Sequence, residues 1–379
     1  ALKLGAKYQQ TKQRFEQDQF EYDTGATFPY AQVMKRSDFV INGREMFMEV
    51  IPSKVRELLK TSPQLFPFVP IDSARGAVEE DYDARETTAA AYVMGTAQIG
   101  RTTIVTGVRA EHNTWKSLRK TFNARTLTVE ERRPGTDYTQ YLPGIHFRHT
   151  LQKNLVLRES YNRSYARPTL SRLTLGRSED INGNIAEGNP LLEPTTSHNA
   201  DAQLEKYTEK GGLYSVGFFY KKMKGFYFNT DQRFSVVDPI TGDPIIDPAG
   251  TRRYRKWENA EGATNYGIEL IFQQKMFFLP PVLRGLTANV SATFSESDAS
   301  YPSRSDEKLP TIGFSDYMFN ASLDYAIGKF RTNIRYSYRS DYLTGVGDTR
   351  YTNDQFAARE QVDLEATYRL TRKFRINAN

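Results

Sequence analysis

The side chains best able to do chemistry are few and scattered. Four histidines, His112, His146, His149 and His198, share no zinc-type spacing, and the chain has no cysteine to complete a thiolate site. His146 and His149 stand three apart on a segment that reads as strand, so they face opposite sides and share no metal. Asp238-Pro239-Ile240-Thr241-Gly242-Asp243 has a faint calcium-loop texture. Its proline and the missing closing glutamate favour a solvated turn. Phosphate-cradling glycine loops, nucleophile elbows and dinucleotide fingerprints are not found. No catalytic residue, metal or cofactor is expected, and the chain does not read as an enzyme.

Binding chemistry is better represented. Arg252, Arg253, Tyr254, Arg255 and Trp257 fall in one polar stretch, and Tyr342, Arg350 and Tyr351 in another. Aromatic faces beside guanidinium forks can stack on sugar rings or grip an anionic iron chelate. The blander role of such residues is to brace and solvate loops.

The elements that must position them are strands. Leu286–Phe294 sets Leu286, Ala288, Val290, Ala292 and Phe294 against Thr287, Asn289, Ser291 and Thr293. The same period of two runs through Phe319–Ile327, Phe330–Tyr338 and Val362–Leu370. Short turns fall near Ile99–Arg101, Leu151–Asn154, Glu209–Gly212 and Gly328–Lys329. Long polar stretches lie between them, at 116–135, 166–196, 231–262, 297–313 and 341–357. Strand, short turn, strand, long loop is the rhythm of an outer-membrane barrel with short periplasmic turns and long extracellular loops. About 14–15 strands are expected, most of them near the ~9–11 residues needed to cross a bilayer.

Composition agrees with that reading. Mean hydropathy is −0.62, and no stretch approaches the roughly 20 apolar residues of a membrane helix. Tyrosine and phenylalanine, 23 of each, suit strands and interfacial girdles. A net charge of +6 from 51 basic and 45 acidic residues is too balanced to point to nucleic acid. A soluble sandwich or propeller also alternates. Here, however, the polar faces carry Arg331, Arg335 and Arg339, or Asp363, Glu365 and Arg369, and a wide water-filled lumen accommodates those without burying unpaired charge. The opening ALKLGAKYQQ carries no signal-peptide pattern, so the chain reads as mature or as excised from a longer precursor. One stretch departs from β: residues 24–84 read as a long extracellular loop with a short helix near 53–60, Ser53 its N-cap, and a hairpin near 39–50. Glu159, by alternation from Leu155 and Leu157, points toward lipid, which implies a headgroup-level position or a bulge.

Tyr161-Asn162-Arg163-Ser164-Tyr165-Ala166-Arg167-Pro168 resembles a motif of TonB-dependent outer-membrane receptors, in which a strand runs into an extracellular loop through Ala-Arg-Pro. Gly188-Asn189-Pro190-Leu191-Leu192-Glu193-Pro194 resembles the segment that opens that family's next strand. Ala84-Arg85-Glu86-Thr87, the Gly107-Val108-Arg109-Ala110-Glu111 strand and Leu142-Pro143-Gly144 match in the same order. The resemblance implies a transmembrane antiparallel up-and-down barrel, residues 1–379 forming part of an expected 22 strands. A solvated ion pair between Arg109 and Glu111 and strand ends at Pro168 and Pro190 accord with it. It implies uptake of a ferric siderophore, cobalamin or oligosaccharide in the outer membrane, with lipid around the barrel and TonB acting through a plug domain outside this chain. A passive porin or an adhesive structural barrel is the alternative.

Overall fold

The computed structural model describes all residues except 19, 26–27, 37–39, 42–43, 46–47, 80, 124–125, 127, 175–177, 180–183, 210, 234–235, 238–243, 246–252, 348, 372–373 and 379. Its centre is one fourteen-stranded antiparallel sheet in which thirteen strands lie side by side in chain order. They are β1 (Leu2–Phe15), β2 (Tyr82–Ile99), β3 (Thr102–Asn123), β4 (Gly135–Gln152), β5 (Leu155–Ala166) and β6 (Thr195–Tyr207). Then follow β7 (Leu213–Lys224), β8 (Gly262–Lys275), β9 (Leu286–Ser300), β10 (Tyr317–Ile327) and β11 (Phe330–Arg339). The last two are β12 (Arg359–Arg369) and β13 (Arg375–Ala378). Thr128–Arg132 pairs only with β3.

The register makes the two faces explicit. One continuous row runs Leu157–Leu204–Val216–Leu270–Ala292–Phe319–Tyr338 across β5 to β11. The row beside it, on the other face, runs Arg158–Gln203–Gly217–Glu269–Thr293–Met318–Arg339–Arg359. The apolar face is not packed into a protein core. Leu4 is 71% exposed, Phe218 55%, Leu323 42% and Leu364 58%. A band of apolar side chains this wide and this open is unfavourable in water and needs hydrocarbon against it. Aromatic rings mark both borders of the band: Tyr161, Tyr220 and Tyr266 toward the long-loop end, and stacked Tyr214 and Phe272 with Tyr325, Phe330 and Tyr368 toward the other.

Connections alternate as expected. Short ones follow β2, β4, β6 and β10, with Gly100, Gly211 and Gly328 at positive φ where a side chain would be strained. Long ones link β1–β2, β5–β6, β7–β8, β9–β10 and β11–β12. The stretch 116–135 corrects the reading. It is no irregular loop: β3 runs on to Asn123 and pairs with Thr128–Arg132, because Trp115 and Ser117 continue the alternation past the apolar band.

Within 24–84 stand α1 (Tyr30–Val33), α2 (Pro52–Thr61) and α3 (Pro70–Glu79). The expected helix exists, but it starts at Pro52, whose fixed φ suits the first turn, and Ile51 rather than Ser53 is its N-cap. The hairpin expected near 39–50 lies partly outside the described residues; Val40–Ile41 pairs with Arg44–Glu45 and Met34–Arg36 with Met48–Val50.

Candidate functional site

At the long-loop end, three of the long connections build a second sheet. Its six strands run Ser178–Glu179, Ile185–Glu187, Arg253–Asn259, Tyr227–Arg233, Tyr342–Gly347 and Asp354–Phe356. Two joints are parallel, Ile185–Glu187 to Arg253–Asn259 and Tyr227–Arg233 to Tyr342–Gly347, and both connect different loops. Phe226, Phe228, Tyr301, Leu343 and Val346 form its core, with the Tyr301 ring edge-on to Phe228 at 5.1 Å. Arg304, 4% exposed, pairs with Glu307 and donates to the Gly347 carbonyl at 3.3 Å, which fastens the β9–β10 loop to the same structure.

This sheet gathers the residues singled out for binding. Arg253, Arg255 and Trp257 share one face of their strand, while Tyr254 lies on the face that carries buried Phe228, Thr230 and Val346. Trp257 is half-buried: the Arg172 guanidinium of α4 (Leu170–Thr174) lies 3.9 Å over its ring, and Leu170, Leu173 and Leu192 pack nearby. Burial lowers the Arg172 pKa, and it raises that of Tyr227, whose ring the same guanidinium approaches at 5.5 Å. The Tyr254 hydroxyl donates to Glu187 at 2.5 Å. Arg255, Arg350 and Tyr351 are exposed, Tyr351 at 86%. Arg252 and the 238–243 turn lie outside the described residues.

Tyr342 belongs to a separate pocket on the polar face. Arg339 and Arg359 oppose each other across β11 and β12. The Arg339 guanidinium sits 3.8 Å over the Tyr342 ring, which stacks on Phe356 at 5.5 Å, and these four line a cavity of about 480 Å³. Like charges directly opposite on a strand pair are destabilising. Arg339 is held by the Ser315 hydroxyl (2.6 Å) and the Gly313 carbonyl (2.6 Å), and Arg359 by Gln361 (2.8 Å), all neutral acceptors.

Three of the motifs, those around Glu86, Arg109 and Arg167, converge on one polar network beneath the loops. Arg109 pairs with Glu111, which also accepts from the Tyr165 hydroxyl. Arg167 pairs with Glu86 at 3.2 Å and donates to Thr88 at 2.7 Å; Thr88 donates to Asn113 at 2.7 Å, and Asn113 to Tyr165 at 2.9 Å. Asn113 is 1% exposed and Thr88 5%, so each buried polar atom here needs the others. The Ala166 carbonyl accepts from Tyr227 at 2.8 Å, and Pro168 is buried just beyond. Gly188 is buried, and Asn189 donates to the Trp257 carbonyl at 2.9 Å. Pro190 lies between buried Gly188 and buried Leu192, and Asn259, bonded to the Glu193 carbonyl (2.9 Å), anchors the chain just before Pro194. Thr88 and Asn113 escaped the sequence reading as site residues, since polar residues on a polar face look alike until their partners are known, and Tyr165 escaped it because it alternates with Leu157 and Tyr161, on the other face.

His146 and His149 face opposite sides of β4, and His149 bonds Thr102 at 2.7 Å. Among the described residues no three His, Asp or Glu side chains converge as a metal site.

The fold is that of a copper transporter, OprC (TM-score 0.62, 12% identity, covering 99% of this chain and 47% of that one). It is also that of the ferric yersiniabactin uptake receptor FyuA from Yersinia pestis (TM-score 0.53, 13% identity, 78% and 40%). The ferric citrate transporter FecA is similar in the same way (TM-score 0.53, 13% identity, 77% and 39%). The chain thus spans half or less of the length of these structures. No curated protein sequence matches it. Residues 1–379 match the family described as TonB dependent receptor-like, beta-barrel, and the chain belongs to that family.

Proposed function

We propose that the protein supplies barrel wall and extracellular loops to an outer-membrane receptor for TonB-dependent uptake of a scarce nutrient, and that the nutrient is anionic. The carrying observation is the Arg339–Arg359 pair beside the Tyr342–Phe356 stack. Two opposed guanidiniums on neutral acceptors attract an anion, and the aromatic stack offers it a flat face. Arg255 on the loop sheet, and Arg350 and Tyr351 in the turn between its last two strands, are the first contacts from outside, and Trp257 is a brace for that sheet. A ferric siderophore or similar anionic chelate fits this set better than neutral sugar or cobalamin. The polar face lines the lumen and the apolar face meets lipid.

Uptake by cells with and without the full-length protein tests this, using ferric citrate, a ferric tris-catecholate, cobalamin and a maltodextrin. The expected result is uncoupler-sensitive uptake of one ferric chelate, lowered at least about tenfold in affinity by Arg339→Ala or Arg359→Ala. Uptake unaffected by the uncoupler would instead support a passive pore. Uptake of a neutral substrate would overturn the anionic assignment.

A further inference from the structure

Strand register places a cationic cluster on the lipid face just beyond the tyrosine girdle at the long-loop end. Tyr161, Ala200, Tyr220 and Tyr266 form one row across β5 to β8. Two residues farther along each strand, the next row on that face is Arg163, His198, Lys222 and Thr264, and Lys224 stands one step beyond Lys222. Lys222, Lys224 and His198 are exposed, and the Tyr161 hydroxyl bonds His198 Nδ1 at 2.7 Å, which steadies the imidazole. Arg163 is committed to the Tyr141 carbonyl and the Gln140 side chain, each at 2.9 Å.

Among the described residues, neither lysine meets a carboxylate. In those rows and the step beyond them, the acids on this face are Glu261, next to Gly262 opposite Lys224 and bonded by the Ser300 hydroxyl at 2.8 Å, and Glu296 and Asp298 on β9. The two on β9 are two strands away, about 10 Å by strand spacing. Both are occupied, Glu296 by the Tyr266 hydroxyl and Asp298 by Lys308 at 2.8 Å. A pair of unneutralised ammoniums at headgroup depth, beside a hydroxyl–imidazole pair, is complementary to a phosphate whose acyl chains lie along Leu204, Phe218 and Ile268 below.

We propose that Lys222 and Lys224, with His198 and Tyr161, bind the phosphate of an outer-leaflet phosphorylated glycolipid. The site rests on the membrane facing of the sheet and is independent of which nutrient is carried. It makes one lipid part of the barrel's outer surface.

The test uses the full-length protein purified in detergent, with native mass spectrometry and titration by diphosphoryl lipid A, its dephosphorylated form and inorganic phosphate. Lys222→Ala/Lys224→Ala should weaken diphosphoryl lipid A binding about 30-fold, from roughly fivefold per basic residue at an anionic surface. Lys222→Arg/Lys224→Arg should retain it, and Lys221→Ala, on the opposite face of the same strand, should leave it unchanged. Heat-modifiable migration on gels shows separately that each variant is a folded barrel. Equal binding by the double alanine variant, or by the dephosphorylated lipid, would overturn the proposal. Competition by millimolar inorganic phosphate as strong as by the lipid would replace the lipid with a free anion and overturn it also.

Discussion

Leu323→Arg is the perturbation whose cost follows most directly from the register. Leu323 lies mid-strand in β10, 42% exposed, with Ala288 and Ile334 directly opposite it on β9 and β11. Neither neighbour can bond a guanidinium, and the turn-side aromatic border begins two residues along the strand, at Tyr325. A charge at such a depth costs about 2–4 kcal/mol, so the folding equilibrium should fall by roughly 30- to 800-fold. Asn320, three residues earlier, faces the other way between Ser291 and Ser337, and Asn320→Arg should cost under about 0.5 kcal/mol. Equilibrium unfolding in urea, with the protein reconstituted in phospholipid vesicles, reads both values. Equal costs for the two variants, or a negligible cost for Leu323→Arg, would refute the facing assigned to β10.

Other expectations are narrower. Trp257→Ala removes the ring under Arg172 and loosens the packing of Leu170 and Leu173. It should cost the loop sheet about 2 kcal/mol, less than a fully buried tryptophan, seen as faster hydrogen exchange in 185–187 with the barrel strands unchanged. Arg167→Ala strips donors from Glu86, Thr88 and Asn113 and should cost about 1–3 kcal/mol by urea unfolding, with Arg167→Lys recovering only part. Glu159 lies on the lipid face between Phe147 and Ala202, so Glu159→Leu should raise stability by about 1 kcal/mol or more in vesicles. Asp316, in the β9–β10 loop, has its pKa raised first by burial and then by Asp341 and Glu296. The folded state therefore binds that proton more tightly, and stability is lost as pH rises through the range above the ordinary aspartate value. Asp316→Asn should stabilise at neutral pH and give no gain in acid, as thermal melts at the two pH values will show.

Much of the barrel was legible because a sheet with lipid on one side and water on the other imposes a strict period of two. Leu286–Phe294 and Phe319–Ile327 display it without interruption, and Gly100 and Gly328 mark turns that need positive φ. Glu159 was readable as lipid-facing too, and its register partners leave no bulge beside it to turn it away. The second sheet was not legible. Its joints, such as Thr230 with Val346 and Ile185 with Tyr254, link residues tens of positions apart through short segments that have no periodicity of their own. Trp257 illustrates the consequence: an aromatic beside arginines looks like a ligand contact until Arg172, from another loop, is found covering it. The helix α3 hid for a related reason, since Pro70–Glu79 carries a glycine and few apolar residues to reveal a helical face.

The absence of native cysteine makes a single-cysteine scan of β9 the most direct measurement. A nitroxide attached at each residue from Leu286 to Phe294 in vesicle-reconstituted protein reports collisions with membrane-soluble oxygen and with a water-soluble nickel chelate. Leu286, Ala288, Val290, Ala292 and Phe294 should favour oxygen, and Thr287, Asn289, Ser291 and Thr293 should favour nickel. A profile without that alternation would contradict the account of this chain as a membrane-spanning barrel wall.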